Sequence, residues 1–432
     1  MTTAVIALGK IGLPLALQIT SKGQKVIGAD INQDVVNLVN NGKEPFPGEA
    51  NLQEKLDHAI NKNLLTATTN TVDAVSSSKA VIVVVPVIVD NEGIPDFSMI
   101  DSATAEIAKG LQPGTLICYE TTLPIGTTRN RFKPQLEKIS NLTCGEDFFL
   151  CHSPERVFSG RIFSDLRKYP KLVGGTDEKS GRLAVRFYEG ILDFDERPDL
   201  AKANGVWNLG SSEAAEMAKL AETTYRNVNI ALANEFALHA QDLGLDVFQV
   251  IEAANSQPFS HIHLPGVAVG GHCIPVYPKF YMHTDTSSEL PRISTQVNES
   301  MPQRVIDIAE NHMLSLEGLT VAIFGLSYRG GVKETAFSGA FPLVDEITNR
   351  GGKPKVHDPL YSESEIRSMG LVPHEIHDSC DIAIIQADHQ EYADLSYESF
   401  PGAKLIVDGR NIIDPEKVSP TPLKRLGDGR TW

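Results

Sequence analysis

Short runs of β-branched and aliphatic residues alternate with amphipathic stretches through the first ninety positions. Residues 3–8, 25–30 and 80–85 read as strands, and residues 13–22 and 33–41 as helices between them. That is the pattern of a parallel sheet with crossover helices. Further strands are expected at 115–120, 148–152 and 171–174. Residues 212–243 differ in kind. Ser211 and Ser212 precede Glu213, and helix formers then run on without Gly or Pro to Gly244. This predicts one helix of about eight or nine turns. From Leu319 the first pattern returns, with strands at 320–324, 355–357, 382–386 and 405–408 and a helix at 341–350. The expected division is 1–200, 201–303 and 304–432: an α/β unit, a helical middle and a second, smaller α/β unit. The stretch 415–432 is polar and punctuated by Pro and Gly, and reads as poorly ordered.

Charge and cysteine content narrow the class. The 432 residues carry 39 Lys and Arg against 55 Asp and Glu, a formal charge of −16. Such a balance argues against a nucleic-acid or anionic-membrane partner. An anionic ligand must then be met by local basic residues. The five cysteines, Cys118, Cys144, Cys151, Cys273 and Cys380, include no CxxC pair. This fits a reducing cytoplasm and no metal site rather than a disulfide framework. The apolar run at 4–8 ends in a glycine turn, so no signal peptide is read. No run approaches the ~18 apolar residues of a membrane span. The expectation is a cytoplasmic protein.

Candidate chemistry gathers at the ends of the expected strands. In Ala7-Leu8-Gly9-Lys10-Ile11-Gly12, Gly9 would let a pyrophosphate approach the backbone and Gly12 would let helix and strand pack closely. Ala7 departs from the usual first glycine. Asp30 ends the next strand at about the offset of an acid that binds a ribose diol, which favours NAD over NADP. The alternative is a plain strand–helix turn with a surface aspartate. The hydroxyls of Thr121-Thr122-Leu123-Pro124-Ile125-Gly126-Thr127-Thr128 point either into a ligand crevice or, at Thr127 or Thr128, to a helix cap. Glu155, in Ser153-Pro154-Glu155-Arg156, is either a general base or the partner of Arg156 in a salt bridge. Lys219, in an apolar stretch of the long helix, either snorkels or stabilises an oxyanion. Cys273 lies in Gly270-Gly271-His272-Cys273-Ile274-Pro275. It reads as a presented nucleophile or as a buried apolar cysteine beside a tight turn.

Six motifs occur here in one order: the Gly9–Gly12 turn, Thr122-Leu123-Pro124, Ser153-Pro154-Glu155-Arg156-Val157, Ala218-Lys219-Leu220, Gly270-Gly271-His272-Cys273 and Asp408-Gly409-Arg410. In this the chain, from residue 1 to about 414, resembles the UDP-glucose/GDP-mannose dehydrogenase family, NAD-dependent four-electron dehydrogenases of nucleotide sugars. The resemblance implies two Rossmann-like parallel-sheet domains joined by a helical domain with one long central helix. It also implies a homodimer or dimer of dimers built on that helix. It implies oxidation of a sugar C6 alcohol to the acid through a thiohemiacetal and thioester on Cys273. Lys219 would stabilise oxyanions, Glu155 act as base and Thr122 help place water. The implied NAD contacts are Gly9, Lys10, Ile11, Gly12, Asp30, Val85, Pro86 and Thr121. Those to the UDP-sugar are Arg156, Val157, Arg226, Asn229, Gly270, Gly271, Tyr328, Arg329 and Arg410.

Several positions depart from the family pattern. Tyr277 and Thr223 stand where an aspartate and an asparagine are usual, Phe259 and Ala336 where arginines are, and Arg329 where a lysine is frequent. Glu155-Arg156-Val157, Gly160-Arg161, residues 170–175, His272 and Arg226-Asn227-Val228-Asn229 resemble the branch acting on UDP-N-acetylhexosamines, UDP-ManNAc or UDP-GlcNAc, rather than the UDP-glucose branch. A two-electron dehydrogenase of the 6-phosphogluconate type needs no cysteine. A nucleotide-sugar-binding protein without turnover is the reading that Tyr277 and Thr223 leave open.

Overall fold

Strands buried on both faces set the first sheet. The structure, a computed structural model, describes residues 1–90, 92–158 and 160–430. Its first strands are β1 (Thr2–Ile6), β2 (Lys25–Ala29), β3 (Leu65–Thr68) and β4 (Ala80–Val83). A two-stranded hairpin follows, β5 (Ile88–Val89) with β6 (Pro95–Asp96). Then come β7 (Leu116–Tyr119), β8 (Phe149–His152), β9 (Lys171–Gly175) and β10 (Val206–Asn208). The sheet order is β10-β9-β8-β7-β4-β1-β2-β3. Every residue of β4, β7, β8 and β9 is buried, as continuous apolar runs require when helices cover both faces. The hydrophobic pattern does not encode one feature. β9 runs antiparallel to β8, with His152 opposite Gly174 and Cys151 opposite Gly175. The first residue of β9 therefore lies beside the carboxyl end of β8.

The chain divides into two compact units, one of residues 1–222 and 279–284, the other of 223–278 and 285–432. The boundary falls inside the helix Ser212–Asp242, whose 31 residues match the expected span to within one position. At 1.5 Å per residue it is about 46 Å long.

The second unit holds β11 (Thr320–Phe324), β12 (Lys353–His357), β13 (Ile382–Ile385), β14 (Leu405–Asp408) and β15 (Leu423–Arg425), all parallel, in the order β12-β11-β13-β14-β15. Behind the sheet packs a helix, Glu289–Met313, that the sequence reading did not single out because Pro302 lies inside it. The expectation of a poorly ordered tail is overturned. Residues 415–418 form a short helix and β15 is the sheet's edge strand. Beyond it, Val247 N–H donates to Gly427 O at 2.8 Å and Gly429 N–H to Leu245 O at 2.9 Å. The Pro and Gly residues of this stretch mark turns, while Val418, Leu423 and Leu426 are buried anchors. Residues 431 and 432 lie outside the described residues.

Candidate active site

In the first unit the strand order reverses between β1 and β4, and the crevice for a ligand opens at that point. β1 runs into Ala7, whose φ of 75° lies in the left-handed region. This strained position is the one that the usual first glycine would fill. Gly12 tolerates no side chain, since a Cβ there would lie 1.9 Å from Ala7 O. Gly9 faces open space, with nothing within 4 Å of an added Cβ. Asp30 accepts from Leu8 N–H at 2.7 Å and from Asn32 N–H at 2.8 Å, which fixes its carboxylate beside the glycine turn. Each oxygen keeps a lone pair for a diol. Thr121 Oγ1 donates to Val85 O at 2.7 Å and joins the ends of β4 and β7. Val85 is buried, Lys10 and Pro86 are exposed, and Ile11 packs on the core. The close-packed Gly12, the open approach at Gly9 and the fixed carboxylate fit a dinucleotide.

After β7 the loop carrying buried Thr122 turns at Gly126 and enters a helical turn, Thr128–Phe132. The cap expected of Thr127 or Thr128 is supplied instead by Glu216 of the long helix. Its carboxylate accepts from Gly126 N–H at 2.5 Å, Thr128 N–H at 2.9 Å and Thr128 Oγ1 at 2.7 Å. Burial pushes the Glu216 carboxyl up to about 7. Three residues on, Lys219 is only 5 % exposed and does not snorkel.

Glu155 lies just beyond β8, but it does not pair with the Arg156 guanidinium. One oxygen accepts from the Arg156 backbone N–H at 2.7 Å and the other from Lys171 Nζ at 2.8 Å. The Arg156 side chain turns to Pro170 O and to Glu222, 3.8 Å away. Lys171, the first residue of β9, also donates to Glu120 at 2.6 Å. Glu120 and Lys171 are buried, and from the sequence they read only as ends of the expected strands 115–120 and 171–174, not as site residues. Burial raises the Glu155 carboxyl, but Lys171 outweighs it and leaves Glu155 below the ordinary carboxylate range. Val157 packs on the apolar core.

In the second unit an asparagine ladder fixes the path to Cys273. Asn234 on the long helix accepts from Gly266 N–H at 3.0 Å and donates to Asn298 at 2.9 Å, and Asn298 donates to Asn227 Oδ1 at 2.9 Å. Asn229 accepts from His263 N–H at 2.8 Å and donates to His261 O at 2.7 Å. Its amide is thus engaged with the loop, and half-buried Arg226 is close enough to help burial hold the His263 imidazole below its ordinary range. Gly270 lies against Tyr328, where a Cβ would come within 2.4 Å of the tyrosine Cβ. Gly271, at φ 86°, donates to Ala336 O at 2.7 Å. Of the five cysteines only Cys273 is not buried. Its carbonyl accepts from Tyr277 N–H at 2.8 Å, so Tyr277 begins the helix that follows. A cavity of about 280 Å³ beside this loop is lined by Asn227, Ala268, Val269, Pro275 and Phe337 among others.

Arg410, just after β14, donates to Gln386 O at 2.5 Å, and Gln386 in turn donates to Gly325 O and Ser327 O. Arg329 donates to the Tyr328 hydroxyl at 3.1 Å. The second unit thereby gathers Gly270, Gly271, Tyr328, Arg329 and Arg410. Phe259 is 88 % exposed and Thr223 is buried. Among the described residues no cluster of His, Cys, Asp and Glu is arranged to hold a metal, and no helix is long and apolar enough to cross a membrane.

Comparison with known proteins places this geometry in context. Family models of the UDP-glucose/GDP-mannose dehydrogenase family match residues 1–192 (NAD binding domain), 213–300 (central domain) and 322–415 (UDP binding domain). The chain is 34% identical to a UDP-N-acetyl-D-mannosamine dehydrogenase of Pyrococcus horikoshii, over 97% of each protein. A solved structure of the UDP-D-ManNAc dehydrogenase from that organism superposes with a TM-score of 0.87 at 32% identity, covering 99% of this chain and 100% of that one. The native structure of the UDP-N-acetyl-mannosamine dehydrogenase of Staphylococcus aureus gives 0.84 at 30% identity, covering 99% and 98%.

Glu216 makes a testable contribution to stability. Its folded value of about 7 lies above the ordinary 4.5, so between these values the folded protein holds a proton that the unfolded chain has released. This contribution is complete below pH 4.5 and lost as the pH rises to about 7. In Glu216→Gln the fall in thermal midpoint between pH 4.5 and 7 is expected to become shallower. Equal slopes in variant and wild type would contradict the assignment.

Proposed function

This chain belongs to the UDP-glucose/GDP-mannose dehydrogenase family, and on that premise we propose that it oxidises the C6 alcohol of a UDP-N-acetylhexosamine, UDP-ManNAc first among them, to the uronic acid. The observation that carries the covalent route is Cys273, the one cysteine left accessible, in a loop shaped by two glycines. The similarity to UDP-N-acetyl-D-mannosamine dehydrogenases over nearly the whole chain supports the sugar. We carry the division 1–200, 201–303 and 304–432 and a cytoplasmic location as parts of the same reading.

NAD, when bound, accepts hydride. The chain's own groups do the rest. Loss of one hydride from C6 and of the hydroxyl proton gives the aldehyde. The Cys273 thiolate adds to its carbonyl carbon, and loss of a second hydride from the thiohemiacetal oxyanion leaves a thioester. Water held with the help of Thr122 and deprotonated by Glu155 attacks the thioester carbonyl, and the C–S bond breaks to return the thiolate. Lys219 stabilises the oxyanions formed on the way. In sum, alcohol, water and two NAD give carboxylate, two NADH and three protons. Asp30 holds the ribose diol, and Arg410, Arg329 and Arg156 supply the cations that a globally acidic chain needs for a diphosphate.

With limiting UDP-ManNAc and excess NAD, two NADH and one uronic acid per sugar are expected. Cys273→Ser should still bind both ligands and form no acid, because a serine alcohol is far less acidic and a poorer nucleophile. One NADH with free aldehyde would refute the thioester step. No turnover with any UDP-sugar would favour a binding protein.

We also propose a homodimer on the long helix. Tyr225, Leu232 and Phe236 recur at helical spacing and are each at least 39 % exposed, an apolar stripe that a second copy would cover. Solution mass at micromolar concentration is expected to be twice 47.0 kDa. Leu232→Glu with Phe236→Glu should halve it, and a monomeric wild type would overturn the proposal.

A further inference from the structure

Lys171 gives one ammonium to two carboxylates, Glu120 at 2.6 Å and Glu155 at 2.8 Å. The Lys171 side chain is 4 % exposed, that of Glu120 0 % and that of Glu155 13 %, so water does not screen the cluster. The second oxygen of Glu120 accepts from the Tyr188 hydroxyl at 2.6 Å. The reversal of β9 brings the lysine to this edge, where the neighbouring parallel strands end. A cavity of about 10 Å³, at the lower limit of room for one water, is lined by Glu155 and Lys171 together with Asp165 and Tyr169. Also facing the cluster within this unit are Cys118 of β7, Cys151 and His152 of β8, and Arg156. Asp165 is held by Arg161, and burial depresses the His152 imidazole to about 3, so it adds no charge near neutral pH.

We propose that Glu120 and Lys171 are positioning residues for Glu155, and that the shared ammonium makes Glu155 a stronger base when Glu120 is ionised and a weaker one when Glu120 carries a proton. The inference rests on the reading of Glu155 as the base that activates water. Two carboxylates and one ammonium, with Glu120 and Lys171 buried and Glu155 nearly so, favour retention of one proton. That proton belongs on Glu120. Burial drives its carboxyl up to about 7 against the pull of Lys171, whereas Glu155 stays ionised with an amide N–H as additional donor. Below this value Lys171 serves Glu155 alone. Above it the ammonium is divided, and the new negative charge raises the basicity of Glu155 by roughly two pH units at an effective dielectric of about 20. The acid limb of hydrolysis then reports Glu120, a residue that touches no substrate.

The test follows single-turnover loss of the acyl group from Cys273 by intact mass between pH 5.5 and 9. The carboxyl infrared bands of the substrate-free protein are titrated alongside. Wild-type release is expected to rise through an ionisation near pH 7. Glu120→Gln should abolish that rise and leave release about tenfold slower at pH 8. Tyr188→Phe deletes only the hydroxyl donated to Glu120 and should move the rise to higher pH. Lys171→Gln should raise the Glu155 band by about one pH unit or more, and Lys171→Arg should bring it back. Unchanged release profiles in both Glu120→Gln and Tyr188→Phe overturn the inference. A Glu155→Gln variant that releases at the wild-type rate overturns the base assignment instead. The two failures are told apart by the infrared bands, which stay coupled only if the network exists.

Discussion

Polar side chains withdrawn from water must find partners, and on the helix Ser212–Asp242 they find them in the loops of the candidate site. Glu216 caps the turn after Thr122, and Asn234 and Asn229 hold the strip that leads to Gly270 and Cys273. In each of these contacts the helix side chain is the acceptor and a loop amide the donor, so a one-residue slip of the helix would turn each acceptor away from its amide. The run without Gly or Pro thus serves the loops of each unit as well as the helix itself. The same helix carries Lys219 one turn beyond Glu216.

Most of the fold could be read from periodicity. β4, β7 and β8 are continuous apolar runs, and the long helix announces itself by length. What could not be read has physical reasons. The direction of β9 is set by pairing with β8, which hydrophobicity does not encode. Pro302 hides the helix Glu289–Met313, since a proline inside a helix reads as its end. The tail at 415–430 has loop composition because only a few anchors, such as Leu423, fix it to the sheet.

The candidate site divides in the same way. Cys273, Gly12, Asp30 and Arg410 were legible because glycine and proline frame them or because they follow strands. Glu120, Lys171 and Glu216 were missed, as each is one charged residue beside an apolar run, where the ordinary expectation is a solvated side chain. A usable signal existed: Glu120 follows Leu-Ile-Cys-Tyr and Lys171 precedes Leu-Val-Gly-Gly, so two opposite charges abut strands too apolar to face water. Buried charges need each other, and such a coincidence is the mark of a pair.

The edge strand β15 has a kinetic consequence. Its seal joins Val247 to Gly427, amides 180 positions apart in sequence, so closure of the second unit must wait for a very long loop to close. The eight strands of the first sheet are complete by Asn208, and during synthesis that sheet can assemble long before the other has its last strand. Until then the edge of β14 presents unpaired backbone to any neighbouring strand. In pulsed hydrogen exchange during refolding, the amides of Ile406 and Val247 should gain protection after those of β1 and β4.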